Sequence, residues 1–479
     1  MASPFVRREI WALESEEPFD PITLGYANAV KAMQERPPDD PTSWAFQAAI
    51  HGSYAAPPPG AGWNMCQHQG WFFLPWHRMY LYFFERIVRA AAIKAGAPED
   101  FALPYWNYDL PAPGNTIPIG FRTDKLPDGV PNPLCLEFPR RDPGLMAGAE
   151  LDPSVTSPEL ALAQPGFSDP PPGFGGGRTG PQHFGDFSDS GALESSPHNA
   201  IHVVLVNAPP VRPCQAGFMI DPNCAALDPL FWLHHSNIDR LWNAWLALGD
   251  GRANPSDDGW REQSFDFYDE NGQQVSMTVA EVLDSAGQLG YVYDDESPLE
   301  MVPPPAEEAA PGGPPPELVA ATEQPLTLSG GAKSVPISVP QDTRGSVESA
   351  AAPGPGRVLV SVDDIRAEIN PGVVYGVYLN LPGEGGDRRS HHIGNVALFG
   401  IEKMNDPDTR HEGAPGFRHV FDATPVAAKL SEQGRWDPAA VTVTFAPVGV
   451  APPPGQEAAE PAEGSAPPIE IGRVSLFVA

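Results

Sequence analysis

Residues Cys66–Glu85 read CQHQGWFFLPWHRMYLYFFE. His68 and His77 flank an aromatic run that holds Phe72, Phe73 and Trp76. From His77 onward Leu81, Phe84, Ile87 and Val88 fall at helical spacing, and neither Gly nor Pro interrupts before Gly96. A buried helix is therefore predicted, with His77 on its first turn and His68 on the loop that leads into it. Two imidazoles aimed into an apolar interior are either core histidines with hydrogen-bond partners or metal ligands, since neutral imidazole is the commonest metal-binding side chain. The rest of the chain decides between the two.

On the N-terminal side, Pro21–Gln34 reads as a helix that the Pro37–Pro41 cluster ends. Thr42 or Ser43 then caps a second helix, SWAFQAAIHG, with His51 on its last turn before Gly52. On the C-terminal side, Phe101–Leu110 is aromatic and extended, and residues 111–190 are loop-rich. Glu194–Val206 reads ESSPHNAIHVVLV. Pro197 suits a helix start, which puts His198 and His202 four apart on one face. Asp228–Gly249, DPLFWLHHSNIDRLWNAWLALG, is a strong helix with His234 and His235 inside it. Seven histidines thus lie on or beside four predicted helices, and His183 brings to eight of 12 the number that precede residue 236. Three imidazoles for each of two ions fit this clustering. No carboxylates are interleaved, and the Glu-x-x-His pairs of a carboxylate di-iron site are absent. All-nitrogen sites suit copper or zinc, and copper binds them more tightly.

The chain has 479 residues, room for two or three domains. With 61 acidic against 29 basic residues its formal charge is −32, which excludes a nucleic-acid partner. No apolar stretch is long enough for a membrane span. Arg7 and Arg8 are not followed by the apolar run of a signal peptide, because Glu9, Glu14, Glu16 and Glu17 interrupt it. Cytoplasmic residence is the default, with export alongside a partner left open. Four cysteines make no disulfide framework. Cys214 and Cys224 could pair across a loop, but a cytosolic location favours thiols. Residues 302–325 form a Pro-rich acidic linker. Beyond it the periodicity alternates in VLVSV (358–362), YGVYLNL (375–381), VTVTFAPV (441–448) and IGRVSLFV (471–478). The expected architecture is multi-domain, α plus β. Residues 1–301 form a mainly α-helical four-helix-bundle domain, and residues 326–479 an antiparallel β-sandwich. His391, His392, His411 and His419 read as ordinary surface or loop histidines.

Three motifs carry a resemblance: FFLPWHRMYLYFFE around His77, PHNAIH around His198 and DPLFWLHHSNIDRLW around His235. VRREIWAL near the start and LGYVY at 289–293 add weaker signatures. Over roughly the first 300 residues the chain resembles tyrosinases of the polyphenol oxidase family, binuclear copper proteins related to haemocyanins. The resemblance implies two copper ions, with dioxygen as co-substrate. His51, His68 and His77 would hold the first, and His198, His202 and His235 the second, with His234 beside them. The implied reaction ortho-hydroxylates small monophenols and oxidises o-diphenols to o-quinones.

Further roles follow from the same resemblance. Cys66 would form a thioether to His68, as in fungal relatives and molluscan haemocyanins; otherwise it is a free buried thiol. Glu194 and Asn199 would hold a water that takes the phenol proton. The plain alternatives are a carboxylate at a helix N-terminus and a surface amide. Asp239 could steady a ligand ring or pair with Arg78 or Arg240. Val203 would line the entrance. Some plant enzymes carry a bulky Phe thirteen residues before the last ligand; Pro222 stands there instead, implying a more open entrance. The C-terminal region resembles the domain that shields the cleft in latent plant-type polyphenol oxidases, so a cut in the linker is expected to raise activity. A homo-oligomer is possible. Two alternatives share the ligands: a catechol oxidase that acts on diphenols alone, and an oxygen carrier with a closed entrance. The single copper domain and the Glu194/Asn199 pair speak against the carrier. A copper-free structural protein would leave six placed histidines without a use.

Overall fold

The computed structural model describes residues 3–14, 18–137, 139–169, 171–184, 190–297, 316–352, 354, 356–382, 387–404, 416–451 and 462–479. Its helical region is built on the Phe73–Lys94 helix. That helix begins a turn earlier than the periodicity predicts. Pro75 sits in its first turn, where a missing N–H leaves no intrahelical bond unmade. Phe73, Leu74, Trp76, Met79, Tyr80, Phe83, Phe84, Ile87 and Val88 are all buried, so the segment is apolar around most of its circumference. The Pro21–Gln34 and Pro229–Ala247 helices pack against it. Both start from an aspartate that accepts from the second backbone N–H, Asp20 from Ile22 at 2.8 Å and Asp228 from Leu230 at 2.8 Å. The short Trp44–His51 helix is capped by Ser43, which accepts from Phe46 N–H at 3.1 Å. Tyr80 and Trp44 close on Trp232 with centroids 4.7 and 6.1 Å away, tying three of these helices together.

The segment from Glu194 is not one regular helix. Ser196 is extended (φ −155°, ψ 131°) and Pro197 restarts the helix, which runs on through Ala200–Val204. Proline has no N–H for the preceding turn, so the break falls at its N-terminal neighbour.

The C-terminal region holds a pair of antiparallel sheets that share a buried apolar interior. One has the order His392–Val396, Val374–Leu379, Val441–Val448, Lys333–Ile337. The other has Phe417–Asp422, Val358–Arg366, Ile469–Val478, Glu317–Ala321, with Leu326–Leu328 also on Ile469–Val478. Glu317–Ala321 lies in the stretch expected to be linker, yet Val319 and Ala320 are buried where it pairs with Ile469–Val478. Residues 302–315 of that linker fall outside the described residues.

Two other expectations are corrected. Cys214 and Cys224 form a disulfide, with Cα atoms 5.6 Å apart across a tight loop. His391 and His419 are core residues, only 2% and 3% exposed. The His391 Nδ1–H donates to the Leu379 carbonyl at 2.8 Å, and His419 lies between Phe417 and Phe421 in its strand. His411 lies outside the described residues. Among the described residues no helix is long and apolar enough to cross a membrane.

The helical and sheet regions touch through backbone and side chain. Leu151 bridges Val450, flanked by Asp152 N–H to Gly449 O and Ala451 N–H to Glu150 O, both 2.8 Å. Asn395 Nδ2 donates to Ser154 O at 2.7 Å and to Ser196 Oγ at 2.9 Å.

Candidate metal centre

Two clusters of buried imidazoles face one another. His51, His68 and His77 form one; His198, His202, His234 and His235 form the other. Within each, one nitrogen of every ring lies within 4.8 Å of the others. His77 and His235 stack across the gap with centroids 4.5 Å apart. Four rings are aimed by the same device. The Nδ1–H of His51 donates to Pro222 O at 2.9 Å, that of His77 to Phe73 O at 2.8 Å, and that of His202 to Met219 O at 2.7 Å. The Nδ1–H of His198 donates to Asn199 Oδ1 at 2.9 Å. Each bond fixes the ring and turns Nε2 inward with its lone pair free.

The inward nitrogens test whether these residues fit a metal. Nε2 of His51, His77 and His198 is buried without a hydrogen-bond partner, as are both nitrogens of His68 and His234 and Nδ1 of His235. Nε2 of His202 and of His235 meet at 3.4 Å. So many orphaned buried nitrogens in one place are costly unless a cation accepts their lone pairs. Burial also pushes every one of these rings toward the neutral form that binds metal, His51 down to about 3. The donor set is imidazole throughout, which suits copper. His234, expected beside the ligands, stands within the second cluster by distance and stacks on His198 at 5.3 Å.

Asp239 does not steady a ligand ring. Its carboxylate accepts from Arg78 Nε at 2.5 Å, Arg7 Nη1 at 3.3 Å, and the Tyr291 and Tyr293 hydroxyls at 2.6 Å each. Burial pushes its pKa up, but the two guanidinium groups more than offset this and hold it below the usual value. Two buried cations claim the carboxylate, so the ion-pair alternative with Arg78 holds, with Arg7 as the second partner. Arg7 and the two tyrosines come from the paired strands Phe5–Arg7 and Tyr291–Tyr293, the two weaker sequence signatures.

Cys66 is fully buried and forms no disulfide. Its Sγ lies 3.0 Å from His183 Nδ1. Glu194 is buried; its Oε1 accepts from Gln69 N–H at 2.7 Å and its Oε2 has no partner. Burial pushes its pKa up to about 8. Val203 is fully buried beside His202. Pro222 contributes the carbonyl that aims His51.

Sequence reasoning missed the residue that covers the centre. Phe399, in the turn after the His392–Val396 strand, stacks on His202 at 4.1 Å and lies 5.7 Å from His68 and 5.8 Å from His198. Phe184 stacks on His68 at 4.5 Å and lies 6.3 Å from Phe399. Gly400 follows with φ +83°, and a Cβ there would fall 2.1 Å from the Phe184 ring. Met404 Sδ then accepts from Gln69 Nε2 at 3.1 Å, and Glu402 lies 3.6 Å from Arg212. The signal in the sequence was slight: an apolar VALFG run that leaves strand alternation and ends on glycine.

Buried paired histidine clusters on helices, covered by a sheet-rich C-terminal region, define an oxidoreductase centre of the two-copper kind. Comparison with known proteins agrees. The common central domain of tyrosinase matches residues 41–141 and 156–248, and the polyphenol oxidase middle domain matches 254–303. Residues 315–479 match a domain of unknown function. Tyrosinase HcTyr1 of Hahella sp. is 32% identical, with 94% of this chain and 95% of that protein covered. The latent form of chloroplastic polyphenol oxidase from Prunus armeniaca is 34% identical over 58% of this chain and 47% of its own. The structure of latent apple tyrosinase shares the fold, with a TM-score of 0.61 at 22% identity over 100% of this chain and 98% of that one. The chain belongs to the tyrosinase and polyphenol oxidase family. It is an oxidoreductase whose cofactor is a pair of copper ions, with dioxygen as co-substrate.

Proposed function

We propose that this chain is a tyrosinase held latent by its own C-terminal region. It ortho-hydroxylates monophenols and oxidises o-diphenols to o-quinones once the C-terminal region, from the Glu317–Ala321 strand onward, moves aside. The observation that supports this best is the Phe399 ring, which occupies the space where a phenol would meet both histidine clusters. In this reading residues 1–301 are the catalytic domain, its ligand-bearing helices acting as a four-helix bundle, and 326–479 together with the Glu317–Ala321 strand are the lid.

His51, His68 and His77 would hold one copper ion; His198, His202 and His235 the other, with His234 packed beside them. Copper bound there supplies the oxidation of the phenol ring by dioxygen. The protein does the rest. The Nδ1 bonds hold four of the rings in place, and the aromatic walls keep water out. A monophenol has to lose its proton. Glu194 offers an unpartnered Oε2 for that proton, through a water that the Asn199 amide helps to hold. Val203 lines the opened entrance. One observation favours the diphenol-only alternative: burial pushes Glu194 up to about 8, so its carboxyl holds a proton more readily than an ordinary glutamate while the lid is closed. Displacing the lid readmits water and relieves that desolvation. The Cys214–Cys224 disulfide favours an oxidising compartment over the cytoplasmic default.

The test is oxygen uptake by the copper-loaded protein, before and after a protease cut between residues 297 and 316, with a monophenol and then an o-diphenol. Uptake with both substrates, rising on cleavage, is the expected result. Uptake with the diphenol alone would establish a catechol oxidase. Reversible oxygen binding without turnover in either state would make the protein a carrier. Light scattering on the same sample reads the oligomeric state.

A further inference from the structure

Gln69 directly follows the ligand His68 and is 1% exposed. Its backbone is left-handed, with φ 62°. An L-residue with a side chain adopts that conformation only at a steric penalty, so the surroundings have to hold it there. They do so from one side through Gln182. Its Nε2 donates to the Gln69 carbonyl at 3.1 Å and to the His68 carbonyl at 3.3 Å, and its own N–H donates to Gln67 Oε1 at 2.6 Å. The consequence of the left-handed turn is the direction of one N–H group. The Gln69 amide donates to Glu194 Oε1 at 2.7 Å, across 125 residues of sequence. The other carboxylate oxygen, Oε2, is buried without a hydrogen-bond partner, with the Ser190 side chain beside the carboxyl group. The side chain of Gln69 faces elsewhere, its Nε2 donating to Met404 of the C-terminal region.

We propose that Gln69 is the positioning residue for Glu194, and that it acts through its backbone. The strained turn aims an amide at Oε1, and that bond fixes the carboxyl plane so that Oε2 faces the reacting phenol. The loop that carries a ligand of one histidine cluster thereby orients the proton acceptor that precedes the other. This inference rests on the reading of Glu194 as the acceptor of the phenol proton.

The experiment uses the full copper-loaded chain after linker cleavage and reads the ratio of monophenol to o-diphenol kcat. Gln69→Gly takes the left-handed turn freely and Gln69→Asn tolerates it, so both should keep the ratio within about twofold of the parent. Gln69→Val is β-branched and resists the turn. Misplacing a catalytic group by about 1 Å lowers rate by about 10²-fold, so this variant should lower the ratio by at least about tenfold. Glu194→Gln is measured beside it. If Glu194→Gln lowers the ratio and Gln69→Val does not, the positioning role is overturned and the role of Glu194 stands. If Glu194→Gln lowers both rates equally, the underlying reading of Glu194 fails. If Gln69→Gly lowers the ratio as much as Gln69→Val, the side chain is the active element and the proposal is wrong. Should the valine variant fail to bind two copper ions per chain, Gln182→Ala, which removes the bonds to the His68 and Gln69 carbonyls that hold the turn, carries the test, with a fall of at least about threefold expected. A ratio unchanged in Gln182→Ala overturns the role.

Discussion

Phe399→Ala is the most direct perturbation of the closed state. The side chain is 1% exposed. Its ring partners are His68, Phe184, His198 and His202, all from the helical region and none from its own sheets. Truncating a buried Phe to Ala removes about 3–5 kcal/mol. Because the contacts lie across the interface, most of that loss falls on the closed arrangement and little on the fold of either region. Taking about 3 kcal/mol, with a factor of ten for each 1.4 kcal/mol, the open fraction rises by about 10²-fold. The assay is o-diphenol-driven oxygen uptake by the intact, uncut, copper-loaded protein. Turnover should climb by about that factor, up to the ceiling set by the cleaved parent. Phe399→Leu, which keeps more of the volume, should climb less. Turnover of intact Phe399→Ala that stays at the parent level, while cleavage still activates it, would refute the reasoning.

Three further outcomes are expected. Asp239→Asn leaves Arg78 buried without its anion and Arg7 with Glu85 alone, so denaturant unfolding should show a loss of about 3–5 kcal/mol; two copper ions per chain should still bind, since Asp239 touches no ligand ring. Glu14 is 1% exposed and burial pushes its pKa up to about 8 from an ordinary 4.5. The folded chain keeps this proton where the unfolded chain releases it, so the contribution of Glu14 is intact below pH 4.5 and is lost as pH rises toward 8. Glu14→Gln should therefore have a Tm that gains on the parent steadily between about pH 5 and pH 8; a constant difference would mean that the carboxyl does not titrate in this window. The thioether implied for Cys66 should leave the intact mass, after copper removal and reduction of the Cys214–Cys224 disulfide, two hydrogens below the sequence mass; a full sequence mass would show that Cys66 stays a thiol.

The two histidine clusters were legible because two constraints coincide in them: a histidine among Phe73, Trp76 and Tyr80 violates the apolar pattern of a core helix, and the violation recurs at other helices of the same core. The strands of the C-terminal region were legible by alternation, as at Val441–Val448. What sequence could not show depends on contacts between distant segments. Asp239 has Arg78 and Arg240 within helical or motif reach, and only the fold brings Arg7 and two tyrosines to the same carboxylate. The first turn of the Phe73–Lys94 helix was hidden by Pro75, which reads as a breaker unless its position in the turn is known. Phe399 is one of 23 phenylalanines, and nothing local marks it as the one that leaves its own domain. His391 and His419 looked like loop residues because their burial comes from neighbouring strands.

The backbone bridge between Leu151 and Val450 has a consequence for what proteolysis does. The bonds from Asp152 to Gly449 and from Ala451 to Glu150 do not pass through the linker. Cutting the chain between residues 297 and 316 therefore turns one molecule into two that still bind each other. An intramolecular contact, held at an effective concentration of about millimolar, becomes an ordinary association governed by mass action. Freshly cut protein at high concentration should stay largely inactive. Its specific activity should rise on dilution, with a delay set by the rate at which the C-terminal fragment departs, and should fall again when that fragment is added back.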